Sequence, residues 1–271
     1  ALFLRDGKVC TDCSGAIPWR GVVRGCYRDS IVASAVMASM LMLHRTMGTF
    51  QKQVGVYIAL NEFCRRRFVE GGLPVERVVV KPNFVHSGGV SQGPRSDMLF
   101  VGRLSNEKGI ATLARALPLA SRVRCLVAGD GPEAPVLQSV AGAQRLGSLT
   151  ADLVRAHMGQ AVALVVPSIC FENFPRTIAE AFSAGLPVIA SRIGALADIV
   201  VDGHNGLLFE AGNAEDLASK MTWANEHPLE MAEMGARARA DYEAKYSPDV
   251  NFKQLMEIYN MALVNGVDAI N

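Results

Sequence analysis

The sequence lacks an excess of charge of either sign. Lysine and arginine together number 27, against 26 aspartates and glutamates, so the net charge is +1. A charge this small creates no general field that would attract nucleic acid or an acidic polymer. We therefore expect no nucleic-acid partner, and each basic residue has to be judged by its local setting.

The sequence also lacks an apolar run long enough to cross a membrane. A membrane-spanning helix takes about 20 apolar residues, and the most apolar stretch, residues 31–43, is shorter and contains several Ala and Ser. Residues 1–7 show no charged segment leading into an apolar stretch, so we expect no secretory signal there. We predict that residues 31–43 form a buried core helix. The alternative is an interfacial or partner-binding helix.

The six cysteines do not form the pattern of a disulfide framework, since no export signal is expected. Cys10, Cys13 and Cys26 are the one grouping with zinc-like spacing, but no second Cys-x2-Cys or His pair follows them. We favour no metal site, with zinc at these three thiols as the alternative. Cys125 and Cys170 are expected to be small core residues.

Two nucleotide-binding fingerprints are missing as well. The turns at Gly102 and Gly129 belong to neither a complete GxGxxG motif nor a Walker loop. NAD and ATP are therefore poorly supported, and we expect no cofactor.

What the chain does contain is a regular alternation of short apolar runs and amphipathic helices, beginning at Asp97. Half of the residues are hydrophobic and a fifth are charged, as in a folded α/β protein of one or two domains. The alternation predicts βαβ units and a doubly wound, Rossmann-like parallel sheet. The predicted strands are residues 98–102, 122–129, 161–167, 187–191 and 206–209. The predicted helices are residues 108–117, 176–184 and several from Ala214 onwards.

Residues 1–86 have a different predicted secondary structure and charge pattern. It is largely helical and locally basic, with a helix at residues 61–70 and a strand at residues 78–80. We divide the chain into a partial N-terminal lobe (1–86), a linker (87–96), a Rossmann-like domain (97–247) and a C-terminal helical segment (248–271).

Ligands bind such sheets at the carboxyl ends of the strands. Arg103 follows the first strand and Lys108 is predicted to open the next helix, which suits a diphosphate, although two solvated surface cations are the alternative. After the second strand come Gly129 and Gly131, and Pro132 is predicted to begin a helix.

The most specific stretch is PSICFENFPRTIAE, which contains Glu172 in a loop and Glu180 about two turns into a helix. The helix start at residues 173–176 offers free backbone N–H groups to an anion or hydroxyl. Carboxylates accept two hydrogen bonds and suit sugar hydroxyls.

The order GRLSNEKG, AGDGPE, PSICFENFPRTIAEAFSAGLPVIAS and GHNGLLFEAGNAEDLA resembles the C-terminal domain of family-4 retaining glycosyltransferases of the GT-B fold. The resemblance covers residues from about 97 onwards. Residues 57–85 resemble the end of the N-terminal domain in the same family, and residues 1–56 resemble it only loosely.

The resemblance implies a role for each matching residue. Catalytic roles fall to Glu172, which faces the donor sugar, and to Arg103 and Lys108, which neutralise the diphosphate. Donor binding falls to the residues that line the nucleotide, contact the sugar and hold the ribose hydroxyls: Gly102, Gly129, Gly131, Asn173, Phe174, Pro175 and Glu180.

The resemblance also implies a reaction and its partners. The donor is a UDP- or GDP-sugar, no metal is needed, and the sugar passes with retention to a glycan or lipid-linked acceptor. This chemistry belongs to polysaccharide biosynthesis in the cytoplasm, with peripheral contact at the inner membrane face. A nucleotide-sugar-binding module without efficient transfer is the alternative, and an epimerase of the same fold is a third.

Departures from the family concern the first 86 residues, which are short for a complete lobe. The N-lobe histidine of many relatives has no clear counterpart, and His44 is expected to be structural. We predict that residues 248–263 form an amphipathic helix that packs back toward the N-lobe. Its apolar face is expected at Phe252, Leu255, Met256, Tyr259 and Leu263, and exposure of that face would favour a homo-oligomer.

Overall fold

The structure is a computed structural model that describes residues 3–5, 7–87, 93–120 and 122–268, without the side chains of residues 265–268. The strands are β1 Leu4–Arg5, β2 Lys8–Val9, β3 Tyr57–Ala59, β4 Val78–Val80, β5 Met98–Val101, β6 Cys125–Ala128, β7 Ala143–Gly147, β8 Ala163–Val166, β9 Val188–Ser191 and β10 Gly206–Phe209. The helices are α1 Trp19–Val23, α2 Ile31–Thr46, α3 Thr49–Lys52, α4 Glu62–Glu70, α5 Ile110–Ala116, α6 Ala151–Gln160, α7 Arg176–Ser183, α8 Gly194–Ile199, α9 Ala214–Glu226, α10 Pro228–Lys245 and α11 Pro248–Asp268.

The central element is a six-stranded sheet in the order β7-β6-β5-β8-β9-β10. Every neighbouring pair in this sheet is parallel. The strand order reverses between β5 and β8, where the chain stops adding strands on one side and begins on the other. The predicted doubly wound α/β fold is therefore confirmed, and β5 and β8 flank its switch point.

Alternation along the strands divides the core into two apolar layers. In β5, Met98 and Phe100 pack in the layer that contains the buried faces of α5 and α9. Leu99 points to the other face and packs with residues of α6, α7 and α10. Strand β5 is thus covered on both sides, as is typical of a parallel sheet.

Two elements of this sheet domain escape the sequence patterns. Strand β7 lies at the sheet edge and has no fully buried residue, so it lacks the apolar run that marks the other strands. Helix α6 follows it and buries Met158 and Gly159 within a largely exposed surface. The other strands form where they are predicted, and most are shorter by one or more residues.

Two predicted helix starts are wrong. Lys108 closes a 3-10 turn, Asn106–Lys108, and α5 begins only after Gly109, whose left-handed backbone separates the two. Pro132 begins no α-helix either, because the chain there forms a short 3-10 turn, Ala134–Leu137. In both places the chain forms a 3-10 turn where an α-helix is predicted to begin.

The N-terminal part contains a small βαβ unit. Strands β3 and β4 are parallel, and α4 joins them. Asn61 caps α4 by accepting a hydrogen bond from the Cys64 amide at 2.8 Å. A small apolar cluster around Ala59, Cys64 and Val78 holds the unit together.

The prediction of a buried core helix at residues 31–43 is wrong. The segment is helical within α2, but Ser34 is its one buried residue, while Val32, Val36 and Leu43 are exposed. Composition alone cannot tell a buried helix from an exposed one, because burial depends on a second layer. The short helices α1 and α3 leave most of α2 uncovered. Among the helices that the structure describes, none combines the length and apolarity needed to cross a bilayer.

The predicted apolar face of the C-terminal helix is also not its packing face. Phe252, Met256 and Tyr259 are exposed, and among the side chains of α11 that the structure describes the buried ones are Asn251 and Ile258. Asn251 donates from Nδ2 to the Pro82 carbonyl oxygen at 2.6 Å. Helix α11 thus contacts the segment before the linker through this hydrogen bond.

The cysteines divide as expected between core and N-terminal segment. Cys125 and Cys170 are buried core residues. Cys10, Cys13 and Cys26 line one cavity of about 510 Å³, but within the described ranges no set of three or more His, Cys, Asp or Glu side chains could hold a metal ion. The zinc alternative therefore gains no support.

Arg95 anchors the end of the linker segment to the sheet domain. Its Nη1 donates to the carbonyl oxygens of Met158 and Ala161 at 3.2 and 2.9 Å, and its Nη2 donates to those of Ala184 and Gly185 at 3.0 and 3.2 Å. Burial lowers the pKa of the guanidinium, which nevertheless stays charged at neutral pH. One side chain thereby satisfies carbonyls at the ends of both α6 and α7.

We predict that Arg95→Ala lowers the free energy of unfolding by about 2–3 kcal/mol, because it leaves part-buried carbonyls without a donor. Chemical denaturation measures the change. Arg95→Lys is the matched variant, and its point charge should recover only part of the loss. Equal stability of Arg95→Ala and the unaltered protein would contradict the anchoring role.

Candidate functional site

The candidate site lies where the loops after β5 and β8 meet at the carboxyl edge of the sheet. These strands are direct neighbours, with Met98 opposite Ala163 and Leu99 opposite Leu164. The loop after β5 contacts the loop after β8 through the Ile169 amide, which donates to the Glu107 carbonyl oxygen at 3.0 Å. Crevices of this kind, at a topological switch point, are the usual ligand sites of open α/β sheets.

Lys108 and Glu172 form an ion pair across the two loops. Lys108 Nζ lies 2.6 Å from Glu172 Oε1, and Ser168 donates from Oγ to the same oxygen at 2.8 Å. The Glu172 side chain is 14% exposed and that of Lys108 is 32% exposed. The carboxylate is therefore held in place by a cation and a buried hydroxyl, while both charged groups keep access to solvent.

Glu107 stiffens the loop that carries Lys108. Ser105 donates from Oγ to Glu107 Oε1 at 2.5 Å. Burial tends to raise the pKa of this carboxyl, but the Ser105 hydrogen bond, its own backbone amide and the charges of Lys108 and Arg103 outweigh burial and lower it. The ionised carboxylate thus adds a second negative charge beside the cations.

Gly109 permits the two loops to approach each other. Its φ is 72°, in the region that favours glycine, and a Cβ at this position would overlap the Pro167 carbonyl oxygen. Close backbone contact here places Lys108 beside the strand that leads to Glu172.

The predicted nucleotide-lining glycines share the same kind of contact. A Cβ on Gly129 would overlap the Gly102 carbonyl oxygen, and one on Gly131 would overlap that of Leu104. Leu104 also donates its amide to the Asp130 carbonyl oxygen at 2.9 Å. The loops after β5 and β6 therefore contact each other backbone to backbone.

Arg103 and Glu180 belong to the same edge without contacting the ion pair. Arg103 is exposed and directly follows Gly102, and in the described ranges its guanidinium takes part in no hydrogen bond or ion pair. Glu180 is half-buried in the second turn of α7, and the described residues supply no partner for its carboxylate. Both groups can therefore bind a ligand without breaking an existing contact.

The start of α7 supplies backbone donors. The helix begins at Arg176, and no side chain caps its first turn. The Ile178 amide donates to the Pro175 carbonyl oxygen at 3.0 Å, which leaves the amides of Arg176 and Thr177 as the donors without a partner inside the helix. An uncapped helix start at a sheet edge attracts anions and hydroxyls. Phe174 and Pro175 turn away from the edge, since the Phe174 ring packs against Tyr246 at 5.9 Å and Pro175 is buried.

Cys170 is a buried thiol in the same loop. Burial, and then the charge of Glu172, raise its pKa to about 11. The thiol is therefore neutral at physiological pH and is not a nucleophile.

Helix α4 supplies contacts that the sequence patterns do not predict. Asn61 donates from Nδ2 to the Asn173 carbonyl oxygen at 2.5 Å, and the Phe63 ring packs edge-on against Phe171, with centroids 4.6 Å apart. The guanidinium of Arg67 lies over both rings. A cap residue at position 61 is visible in the sequence, but its partner 112 residues away is not.

Comparison with known proteins gives this edge a family context. Residues 95–226 match the family model described as "Glycosyl transferases group 1". The match covers every predicted site residue and ends within α9.

Curated relatives agree with the family model. A glycosyltransferase of uncharacterised activity from Methanocaldococcus jannaschii is 31% identical over 199 residues, which cover 68% of this chain and 49% of the relative. The GDP-mannose-dependent alpha-mannosyltransferase of Corynebacterium glutamicum is 35% identical over 48% of this chain and 32% of its own length. The phosphatidyl-myo-inositol mannosyltransferase of Mycobacterium leprae is 28% identical over 77% of this chain and 60% of its own length. The chain thus spans a third to three fifths of these relatives.

Solved structures confirm a GT-B-type fold. HepE of Anabaena in complex with UDP has a TM-score of 0.69 at 22% identity, over 76% of this chain and 64% of that one. Sucrose-phosphate synthase of Thermosynechococcus elongatus has a TM-score of 0.68 at 21% identity, over 76% and 58%.

We predict that Gly109→Ala lowers the free energy of unfolding by about 3 kcal/mol or more, because the new methyl group overlaps the Pro167 carbonyl in addition to straining the backbone. Gly147→Ala is the matched control. Gly147 has a φ of 70°, but nothing lies within 4 Å of its added Cβ, so the cost there is strain alone, about 1–2 kcal/mol. Equal losses in chemical denaturation would refute the close approach of the loops.

Proposed function

We propose that this chain, whose residues 95–226 match the family model described as "Glycosyl transferases group 1", binds a nucleotide-diphosphate sugar at the β5–β8 edge and transfers the sugar, with retention of anomeric configuration, to a glycan or lipid-linked acceptor. The observation that carries the proposal is the Lys108–Glu172 ion pair at the switch point. In this proposal Lys108 is the cation for the leaving diphosphate, and Glu172, 2.6 Å away, is the carboxylate for the sugar.

Each site residue has a role in this proposal. Arg103 binds the diphosphate through bidentate hydrogen bonds from its planar guanidinium, and Lys108 adds a point charge. Glu180 accepts hydrogen bonds from the ribose hydroxyls, and Glu172 faces the donor sugar. Main-chain groups at Gly102, Gly129 and Gly131 line the nucleotide, while the turn formed by Asn173, Phe174 and Pro175 contributes backbone groups near the sugar.

The proposed reaction exchanges one bond at the anomeric carbon for another. The bond from that carbon to the leaving phosphate oxygen breaks, and a bond to the acceptor hydroxyl oxygen forms on the same face. The acceptor proton passes to the departing diphosphate, whose growing negative charge Arg103 and Lys108 stabilise. Glu172 stabilises the positive charge that develops on the sugar ring.

The identity of the donor base is open to a direct test. The Corynebacterium relative is named for GDP-mannose, while the Anabaena structure holds UDP, so we propose a UDP- or GDP-sugar.

Residues 1–86 are proposed to serve as part of the acceptor-side lobe, because α4 packs on the loop after β8. A role in polysaccharide biosynthesis in the cytoplasm, with peripheral contact at the inner membrane face, belongs to the same proposal. The exposed apolar residues of α11 favour homo-oligomerisation.

We predict that calorimetry detects binding of one of two pairs of ligands, UDP with UDP-glucose or GDP with GDP-mannose. Arg103→Ala should weaken the binding of both members of that pair by about 10- to 100-fold, because it removes charge-assisted hydrogen bonds. Glu180→Ala should weaken both by about 5- to 20-fold through lost ribose contacts.

Arg122→Ala is the matched control for the loss of an arginine. Arg122 is exposed and precedes β6, so it lies at the amino edge of the sheet, away from the site. Equal effects of Arg103→Ala and Arg122→Ala would contradict the donor site. Binding without turnover on glycan and lipid-linked acceptors would instead support the alternative of a nucleotide-sugar-binding module.

We further predict that donor binding persists in EDTA. Arg103, Lys108 and the α7 start supply the positive potential that a divalent ion provides elsewhere. The measurement is the same titration with EDTA and then with added magnesium. A loss of affinity of more than about tenfold in EDTA, restored by magnesium, would show that these cations do not suffice.

A further inference from the structure

Two side chains at the start of α4, those of Asn61 and Cys64, contact Asn173 in the loop after β8. Asn61 uses both ends of its amide, since Oδ1 accepts from the Cys64 amide at 2.8 Å and Nδ2 donates to the Asn173 carbonyl oxygen at 2.5 Å. The residue that caps α4 therefore also binds the loop after β8.

Cys64 makes the second contact. Its Sγ lies 3.1 Å from Asn173 Oδ1 and 3.6 Å from the Asn173 carbonyl oxygen. Both oxygens are acceptors only, so the thiol has to donate its proton. Burial, and to a lesser degree the charge of Asp198, raise the pKa of Cys64, which keeps that proton in place at neutral pH.

These contacts decide the orientation of the Asn173 side chain. Because Oδ1 accepts from the thiol, the Nδ2 group is the end left over, and in the described ranges it takes part in no hydrogen bond. Asn173 is exposed and adjacent to Glu172, which pairs with Lys108. The residue that directly follows Glu172 therefore has a neutral N–H donor available for a ligand.

The docking of α4 does not depend on Cys64 alone. Arg66 pairs with Asp198 of α8 through Nη2, at 2.9 and 3.0 Å from the two carboxylate oxygens. Phe63 packs against Phe171 within the same contact. Replacement of the thiol should therefore change the loop without releasing the helix.

We propose that Asn61 and Cys64 are positioning residues that hold the Asn173 amide so that its Nδ2 donates to a hydroxyl of the donor sugar. The proposal rests on the function proposed above. It makes α4, an element outside the matched glycosyltransferase domain, part of the device that recognises the sugar as distinct from the nucleotide.

The test is the ratio of two affinities measured by calorimetry on the full chain, that of the nucleotide sugar over that of its nucleoside diphosphate. The probes are UDP-glucose with UDP and GDP-mannose with GDP. Asn173→Ala, Cys64→Ala and Asn61→Ser should each lower the ratio by about 3- to 10-fold, the worth of one hydrogen bond. Affinity for the diphosphate alone should stay within about twofold.

Cys64→Ser is the matched control, and Asn61→Ser is a test variant that spares the helix cap. Cys64→Ser keeps a hydroxyl donor at the position of the thiol and should retain the ratio to within about twofold. Asn61→Ser keeps a good N-cap for α4, so its effect reports the lost donor to Asn173. Thermal unfolding of each variant shows whether it is folded, and Asn173→Ala, at an exposed position, tests the amide even where a change at Cys64 prevents folding.

The outcomes separate the two proposals. Binding of a nucleotide sugar by the unaltered protein, with an unchanged ratio in Asn173→Ala and Cys64→Ala, overturns the positioning role alone. A parallel loss of both affinities also overturns it, because that result indicates a merely structural effect. No binding of any probe by the unaltered protein overturns the proposed function, and the positioning role with it.

Discussion

The close approach of two backbones, at Gly109 and Pro167, is the constraint on which the site depends. Parallel strands place their carboxyl ends at one edge, but two loops with ordinary side chains at the contact would be pushed apart. A residue without a Cβ, held at a φ of 72°, lets the loop after β5 settle on the end of β8. Only then can Lys108 reach Glu172 at 2.6 Å. The same device recurs at Gly129 against Gly102, so the loops after three adjacent strands form one layer of main-chain groups.

The architecture of a parallel sheet explains which features could be predicted from the sequence. Short apolar runs between amphipathic helices are dictated by burial on both faces of a parallel sheet, so the fold class and most strands of the sheet domain could be predicted. Arg103, Lys108, Glu172 and Glu180 could be singled out because their positions after strands or early in a helix place them at one edge. Their contacts could not. The 2.6 Å pair of Lys108 and Glu172 depends on the strand order β5-β8, which no local pattern encodes.

The errors have a common physical origin in missing information about partners. Helix α2 is as apolar as a core helix, yet burial requires a second layer that composition does not reveal. In α11 a row of apolar residues predicts the packing face, but among the described side chains the buried ones are Asn251, which donates to the Pro82 carbonyl, and Ile258. The start of α5 cannot be located from the sequence, because the turn through Gly109 has no periodic signal.

Helix α4 shows that residues distant in the sequence support the loop after β8. The family match begins at residue 95 and includes every residue of the proposed donor site. The loop after β8 nevertheless has its Asn173 carbonyl and its Phe171 ring held by residues of the earlier segment, and Arg66 ties α4 to α8. A loop with one exposed asparagine and no such support would sample several conformations, each with its own set of free donors. Contacts from outside the domain remove that freedom before a ligand arrives, and a donor fixed in advance costs less entropy to engage. The two parts of the chain are therefore coupled at the residue next to Glu172.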